Sequence, residues 1–362
     1  MTQRVHNVAV IAGDGIGPEL TEAALALLDQ LRPALSAPVQ TTFIDGGART
    51  YTETGAAMSA DAVETVRRSD ATLKGPVGLP GVRRPDGTEA GLLGGILRNG
   101  LDLYANVRPI RLLPGVTTRL RAEPGAIDYV IVRENTEGLY AARGKGVGND
   151  WAVADTLLIT REGSRRIAAF AFDLARQRAS EAGAAGTAGG KGPRVTLVDK
   201  ANVLRSMYLF RTVFLETAEQ YPDVESECLY ADAAAQALVM NPERFDVIVT
   251  ENMLGDILSD LGGGTIGGVG FCPGGNYGEA CAYFEPIHGS APAIAGQDRA
   301  NPVSQILATA MMLDHLGETG AARLVRHAVS AALADGAVTV APDGTVTAGT
   351  RQATSAVLAR LG

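Results

Sequence analysis

The chain has 362 residues, 46% of them hydrophobic and 20% charged, enough for two domains or one large one with a sizeable core. A net charge of -8 argues against a nucleic-acid binder, although a local arginine cluster can still receive a small anion. No apolar run is long enough to span a membrane, MTQRVHN enters an apolar strand without a signal-peptide core, and Cys228, Cys272 and Cys281 lack CxxC spacing, so reduced thiols in a cytoplasmic protein are expected.

Val8 to Ile11 reads as a buried strand, GDGIGPE as a glycine turn, and helical periodicity runs from about Pro18 to Leu31. Gly13, Gly15 and Gly17 give GxGxG rather than GxGxxG, and no acidic residue ends a clear second strand. A tight strand-to-helix turn is therefore preferred to a dinucleotide phosphate loop. DATL, from Asp70 to Leu73, makes another short strand, and such alternation of strands and helices indicates an α/β fold. Arg98, Arg108 and Arg133 follow at the ends of elements. Their fixed forks of donors match carboxylates, so together they can bind a di- or tricarboxylate, whereas any one alone is more commonly a surface ion pair. Tyr140 closes the segment YVIVRENTEGLY.

TLLITREGSRRIAAFAFDLARQR reads as a strand and then a helix, and the Gly/Ala-rich stretch 181–192 as a surface loop. RVTLV is the next strand. It ends in DKANVL, where Lys200 is either a catalytic amine or a surface lysine. Asp232 opens an alanine-rich helix, with N-capping as its ordinary use. The strand FDVIV then leads into TENMLGDILSDLGGG. Asp256 and Asp260 stand four residues apart on one face of this helix, either as a solvated pair or as oxygen ligands for a divalent cation. Met253, Leu254, Ile257, Leu258 and Leu261 can pack inward, and the chain is expected to break at the glycines that follow. FCPGGNYGEACAYFEPIHGSAPAIAGQDRANP reads as irregular, the kind of segment in which function concentrates. An amphipathic helix from about Pro302 to Gly317 and two more C-terminal helices around APDGT complete the chain.

AGDGIGPE, LRNGLDLYANVRP, VRENTEGLY, VDKANVL, YADAAA, TENMLGDILSD and FEPIHGSAPAIAGQDRANP occur in an order that closely resembles the isocitrate and isopropylmalate dehydrogenase family, metal-dependent β-decarboxylating dehydrogenases of 3-substituted malates. The resemblance runs over nearly the whole chain. It implies an α/β, isopropylmalate-dehydrogenase-like fold that is not a Rossmann fold, with a twisted ten-stranded mixed sheet flanked by helices. Residues 1–109 and 265–362 would form a large cofactor-binding domain. Residues 110–264 would form a small domain with a dimerisation arm, and the substrate and metal would lie in the cleft between. Homodimers or higher homo-oligomers with shared active sites are implied.

Residue by residue, the resemblance implies that Arg98, Arg108 and Arg133 clamp the substrate carboxylates. Asp256 and Asp260 would hold Mg2+ or Mn2+ together with Asp232 of a second subunit. Lys200, directly or through Asp232 or water, and Tyr140 would move protons. His288, Gly289, Ser290, Ala291, Ile294, Ala300 and Asn301 would bind the cofactor. Ala293 replaces the acidic residue usual in NAD enzymes, and the Lys-Tyr pair of NADP enzymes is also missing. NAD is expected, with NADP less likely and discrimination weaker than usual. Leu92 and Gly94 would face the C3 substituent of a small anionic di- or tricarboxylate. Leu92 and Leu93 resemble the isopropylmalate type, with the extra Gly94-Gly95 shifting their register, whereas RENTEG resembles isocitrate, homoisocitrate, tartrate and D-malate enzymes. A tartrate or D-malate activity, an unusual substrate, a catalytically silent subunit and a plain metal- or anion-binding module are the alternatives. The complete set of tyrosine, lysine, aspartates and arginines speaks against the silent subunit, and metal-dependent turnover would distinguish an enzyme from the binding module.

Overall fold

The computed structural model describes residues 4–182 and 192–361. Most of the predicted Gly/Ala-rich loop lies outside them. In chain order the first elements are β1 (His6–Ile11), α1 (Gly17–Leu31), β2 (Val39–Phe43), α2 (Ala48–Thr54), α3 (Ala60–Arg68) and β3 (Ala71–Lys74). Then come β4 (Ala105–Arg111), β5 (Asp128–Glu134), the short β6 (Val147–Asn149) and β7 (Ala152–Ala154), α4 (Arg161–Ala182), β8 (Arg194–Asp199), α5 (Arg205–Ala218), β9 (Glu225–Tyr230) and α6 (Ala231–Met240). The last are β10 (Val247–Thr250), α7 (Asn252–Thr265), β11 (Pro273–Tyr277), β12 (Ala282–Pro286), α8 (Val303–His315), α9 (Thr319–Ala334) and α10 (Thr350–Leu358).

The chain divides into two compact units. One comprises Met1–Asp102, Leu113–Thr117 and Gly267–Gly362, and the other Leu103–Leu112 and Thr118–Ile266. Within the first, the strands run in the order β2-β1-β3-β12-β11. β1 is parallel to β2 and β3, β12 is parallel to β3, and β11 is antiparallel to β12. Within the second, the order is β4-β5-β10-β8-β9, with β4 antiparallel to β5 and the others parallel. β6 and β7 form a separate antiparallel hairpin. The apolar strands Val8–Ile11, Tyr129–Val132 and Val247–Val249 are buried throughout, as strands covered on both faces must be.

The glycine turn after β1 has a structural use. Gly13 and Gly15 have φ of 79° and 59°, and a Cβ on either would lie about 2 Å from the carbonyl oxygen of Pro76 or Ser290. The turn is thus tightly packed against neighbouring backbone, and the Asp14 carboxylate between the two glycines accepts the amides of Ala48, Arg49 and Gly78.

Three expectations change. TLLIT is not a strand but a single bridge between Gly138 and Leu158, and Thr160, whose amide donates to Glu137 and whose hydroxyl accepts the Gly163 amide, leads directly into the helix at Arg161. α7 does not stop at its glycines but runs through Gly262–Gly264 to Thr265, since the absence of side chains lets its last turns approach Ile110 and Tyr129. The stretch read as irregular contains the β11–β12 hairpin.

Unit one is closed by a buried carboxylate. Glu318 accepts hydrogen bonds from the Ser36 hydroxyl (2.6 Å), the amides of Ser36 (2.9 Å) and Ala37 (3.1 Å), and lies 3.0 Å from His6 Nε2. Burial alone would raise its pKa, but the Ser36 bonds and then those from His6 and Ala37 hold it down to about 2. A depressed carboxylate stabilises the fold above its unfolded value near 4.5, and this contribution is lost as pH falls towards 2. Glu318→Gln should therefore destabilise the protein at pH 7 by on the order of 2 kcal/mol. In urea titrations the gap from the parent chain should narrow steadily between pH 5 and the folded-state value. A gap independent of pH would contradict the assignment.

Candidate active site

β5 ends by delivering Arg133 beneath α7. The side chain is only 1% exposed, and both Nε (3.0 Å) and Nη2 (2.7 Å) donate to Asn252 Oδ1, while Nη1 donates to Asp256 Oδ1. Arg108, on β4 and 3% exposed, donates from Nε to Asn106 Oδ1 (2.7 Å) and from Nη1 to Ser259 Oγ (2.6 Å) and Asp256 Oδ1 (3.3 Å). Asp260 Oδ1 lies 3.9 Å from the same nitrogen. Neither arginine is a surface ion pair: both are buried and both donate to one face of α7, where residues 252, 256 and 259 recur at i, i+4 and i+7, with Asn106 on β4 taking the Nε of Arg108.

Local sequence makes this packing possible. Glu251 caps α7, accepting the amides of Leu254 (2.7 Å) and Met253 (3.0 Å). A Cβ at Gly255 would sit 2.7 Å from Arg133 Cβ and Cγ, so glycine is what allows the helix to lie over the arginine. The inward face is accordingly Gly255, Leu258, Ser259, Gly262 and Gly263. Of the apolar residues expected inside, only Leu258 is fully buried, and Ile257 is 57% exposed.

Tyr140 donates to Asp256 Oδ2 (3.1 Å), and the guanidinium groups of Arg133 and Arg143 each lie 5.6 Å from its ring centre. Burial, then the charge and hydrogen bond of Asp256, raise its hydroxyl above the ordinary phenol range. Partial desolvation, then the charge of Asp256, raise Asp260, while Arg108 pulls it down. The hard carboxylate oxygens of Asp256 and Asp260 suit a divalent cation such as Mg2+ or Mn2+, and two carboxylates alone leave its coordination incomplete. Among the described residues no group of three His, Cys, Asp or Glu side chains converges to complete it.

Asp232 is instead joined to Lys200, Nζ to Oδ1 at 2.8 Å, and this hydrogen bond holds its pKa below the usual carboxylate range. It does not cap α6. Tyr230 occupies the cap position and makes no side-chain cap bond.

Arg98 and the cofactor candidates belong to the other unit. Arg98 rises from a π-helical turn, Gly95–Asn99, and donates from Nε to the Tyr283 hydroxyl (2.8 Å) and from Nη2 to Glu285 Oε1 (3.0 Å). Leu92 is half-buried, Leu93 is core, and Gly94 opens the turn. His288 is half-buried with its Nδ1 3.0 Å from the Gly289 carbonyl, and burial lowers its pKa and favours the neutral ring. Gly289 is exposed, Ser290 donates to the Gly78 carbonyl, and Ala291 is left-handed at φ 37°. Ala300 packs with Ile16 and Leu20 against Ile294 and Ala295. Asn301 Oδ1 accepts the Val303 amide, but its buried Nδ2 has no partner. An unpaired buried donor beside an apolar cluster fits the polar edge and flat face of a nucleotide base.

The sequence reading missed Asn252, Ser259, Asn106, Lys74 and Glu285. The first two carried a usable signal, polar residues in helical register with Asp256. The last two stand as charges at the ends of otherwise apolar strands.

Residues 7–357 match the isocitrate/isopropylmalate dehydrogenase family. The 3-isopropylmalate/3-methylmalate dehydrogenase of Methanocaldococcus jannaschii is 41% identical over 336 residues, covering 92% of this chain and 93% of that protein. The 3-isopropylmalate dehydrogenase of Mycobacterium bovis is 44% identical over 337 residues, covering 90% and 94%. Among solved structures, isocitrate dehydrogenase from Methylococcus capsulatus superposes with a TM-score of 0.86 at 37% identity, covering 98% of this chain and 99% of that one. The chain belongs to the isocitrate/isopropylmalate dehydrogenase family. It is an oxidoreductase of the β-decarboxylating dehydrogenase class, whose reaction is the oxidative decarboxylation of a 3-substituted malate.

The packing of α7 makes a direct prediction. Gly255→Ala should displace Arg133, destabilising the protein by about 1–3 kcal/mol in urea unfolding and lowering kcat/KM by more than tenfold. Full activity in a folded Gly255→Ala protein would show that the buried arginine does not need its present position.

Proposed function

We propose that this chain is an NAD- and Mg2+- or Mn2+-dependent dehydrogenase that converts a 3-alkyl (2R)-malate of the isopropylmalate type to a 2-oxo acid and CO2. The observation that carries this reading is the cluster of Arg108, Arg133, Tyr140, Asp256 and Asp260 in direct contact within one unit. The names of the relatives support the alkyl substituent. The likeness to an isocitrate dehydrogenase structure supports a second reading, a tricarboxylate such as isocitrate or homoisocitrate.

In this mechanism Arg98, Arg108 and Arg133 hold the substrate carboxylates, so that C2 and its hydroxyl are fixed before reaction. Asp256 and Asp260 would hold the cation, with Asp232 contributed by a second copy of the chain. When bound, Mg2+ or Mn2+ supplies Lewis acidity that lowers the hydroxyl pKa and neutralises developing negative charge. Lys200, also from the second copy and already bonded to Asp232, receives the hydroxyl proton. Residues 288–301, including the unpaired Nδ2 of Asn301, would hold NAD, which when bound would supply the acceptor for the hydride leaving C2. The resulting 2-oxo, 3-carboxy acid loses its C3 carboxylate as CO2, and the Tyr140 hydroxyl returns a proton to C3. With Ala293 in place of an acidic residue, NADP is accepted poorly rather than rejected outright.

Exposed apolar side chains in the second unit support a homodimer. They include Tyr208 and Leu215 on α5, Met240 on α6, Ile257 on α7, and Val147, Trp151 and Val153 on the β6–β7 hairpin.

Initial rates with NAD and NADP, with and without Mn2+, test the reading on 3-isopropylmalate, D-malate, isocitrate, homoisocitrate and tartrate. Turnover should require the metal, be highest on 3-isopropylmalate and favour NAD. No metal-dependent turnover on any of them would overturn it, and a strong NADP preference would overturn the cofactor assignment. Shared sites make a separate prediction. Lys200→Met and Asp256→Asn proteins, each inactive alone, should regain about a quarter of parental activity after their subunits are mixed at random, whereas sites built within one chain would regain none.

A further inference from the structure

Unit one contains a charge cluster that the reaction scheme does not use. Lys74, at the end of β3, is 3% exposed, and its Nζ lies 2.6 Å from Glu285 Oε2. Glu285 also accepts from Arg98 Nη2 (3.0 Å) and Asn276 Nδ2 (3.1 Å) through its other oxygen. Arg98 Nε is meanwhile bound to the Tyr283 hydroxyl, a phenol kept neutral by burial. One carboxylate therefore sits between two cations. His288, which interacts electrostatically with both Lys74 and Glu285, adds no charge while neutral. The cluster carries a surplus positive charge in a largely desolvated place, an arrangement that favours an anionic partner.

We propose that Lys74 is a positioning residue for substrate binding. By neutralising Glu285, it leaves the charge of Arg98 available to a substrate carboxylate, while Glu285 and Tyr283 still fix the direction of the guanidinium. This rests on the reading of Arg98 as a carboxylate clamp. Without Lys74, the Glu285 carboxylate becomes the counter-ion of Arg98 and competes with the substrate for it. The two ends of the Lys74–Glu285 pair should therefore respond oppositely to mutation, which a merely structural ion pair would not do.

The test uses the full-length protein with 3-isopropylmalate, and with D-malate as a second dicarboxylate probe, in the presence of Mn2+ and NAD. Lys74→Met should raise KM about tenfold to hundredfold with kcat changed much less, and calorimetric titration of the same probes should weaken in parallel. Lys74→Arg should stay near the parent. Glu285→Gln should leave KM unchanged or lower it, and the double variant Lys74→Met/Glu285→Gln should recover most of the loss. If Lys74→Met does not fold, the direction of the Glu285→Gln change decides, and a raised KM counts against the proposal. Equal losses in both single variants, or no recovery in the double variant, would overturn it. Arg98→Gln separates the two levels: if it leaves KM unchanged, the clamp reading fails and the proposal with it, whereas a large rise in KM beside an unaffected Lys74→Met overturns the proposal alone.

Discussion

A guanidinium group cannot be buried without oxygen partners, and the second unit meets that requirement twice under a single helix. Arg108 and Arg133 arrive from adjacent antiparallel strands and are received by Asn252, Asp256 and Ser259, with Asn106 taking the remaining Nε of Arg108. The helical repeat sets the spacing of those acceptors, and Gly255 sets how closely they approach. Asp256 then belongs to two systems, holding the arginines through one oxygen and Tyr140 through the other. Both of its oxygens are thus held by side chains of its own unit, and preorganised polar groups of this kind lower the reorganisation needed in a reaction.

The other unit meets a similar constraint with opposite emphasis. There one carboxylate, Glu285, serves two cations, so the charge of the buried cluster is left incomplete rather than closed. The glycine turn after β1, in the same unit, is used as its GxGxG spacing indicated, as a tight strand-to-helix turn, with Gly13 and Gly15 committed to close contact with the Pro76 and Ser290 backbones.

Periodicity and turn residues made the α/β order legible, because apolar runs such as Val247–Val249 and helices such as α1 follow elementary patterning. The candidate residues were legible through long motifs in a fixed order, since Asp256 and Asp260 alone are indistinguishable from a solvated helix face. What could not be read was how the arginines are satisfied. Asn252 and Ser259 look like ordinary helix residues until the strand beneath them is known. The inward face of α7 was misjudged for the same reason: it is selected by small size rather than by hydrophobicity, and Ile257 points outward. The β11–β12 hairpin was hidden because its strands carry glycine and proline, which count against strands in a single sequence.

The discontinuity of the first unit bears on how the chain is made. Residues 4–102 contain β1, β2 and β3, but β3 finds its neighbour β12 only after some two hundred further residues have been synthesised, and His6 meets Glu318 across a separation of 312 positions. The second unit, lying almost wholly between these halves, is complete well before the first can close. On a ribosome, where domains tend to fold as units in order of emergence, the inserted unit becomes a folded body while the first strands still wait with an unpaired edge. The arrangement thus turns the earliest part of the sequence into the last part to be secured, and assigns its protection during synthesis to whatever shields exposed strand edges in the cell.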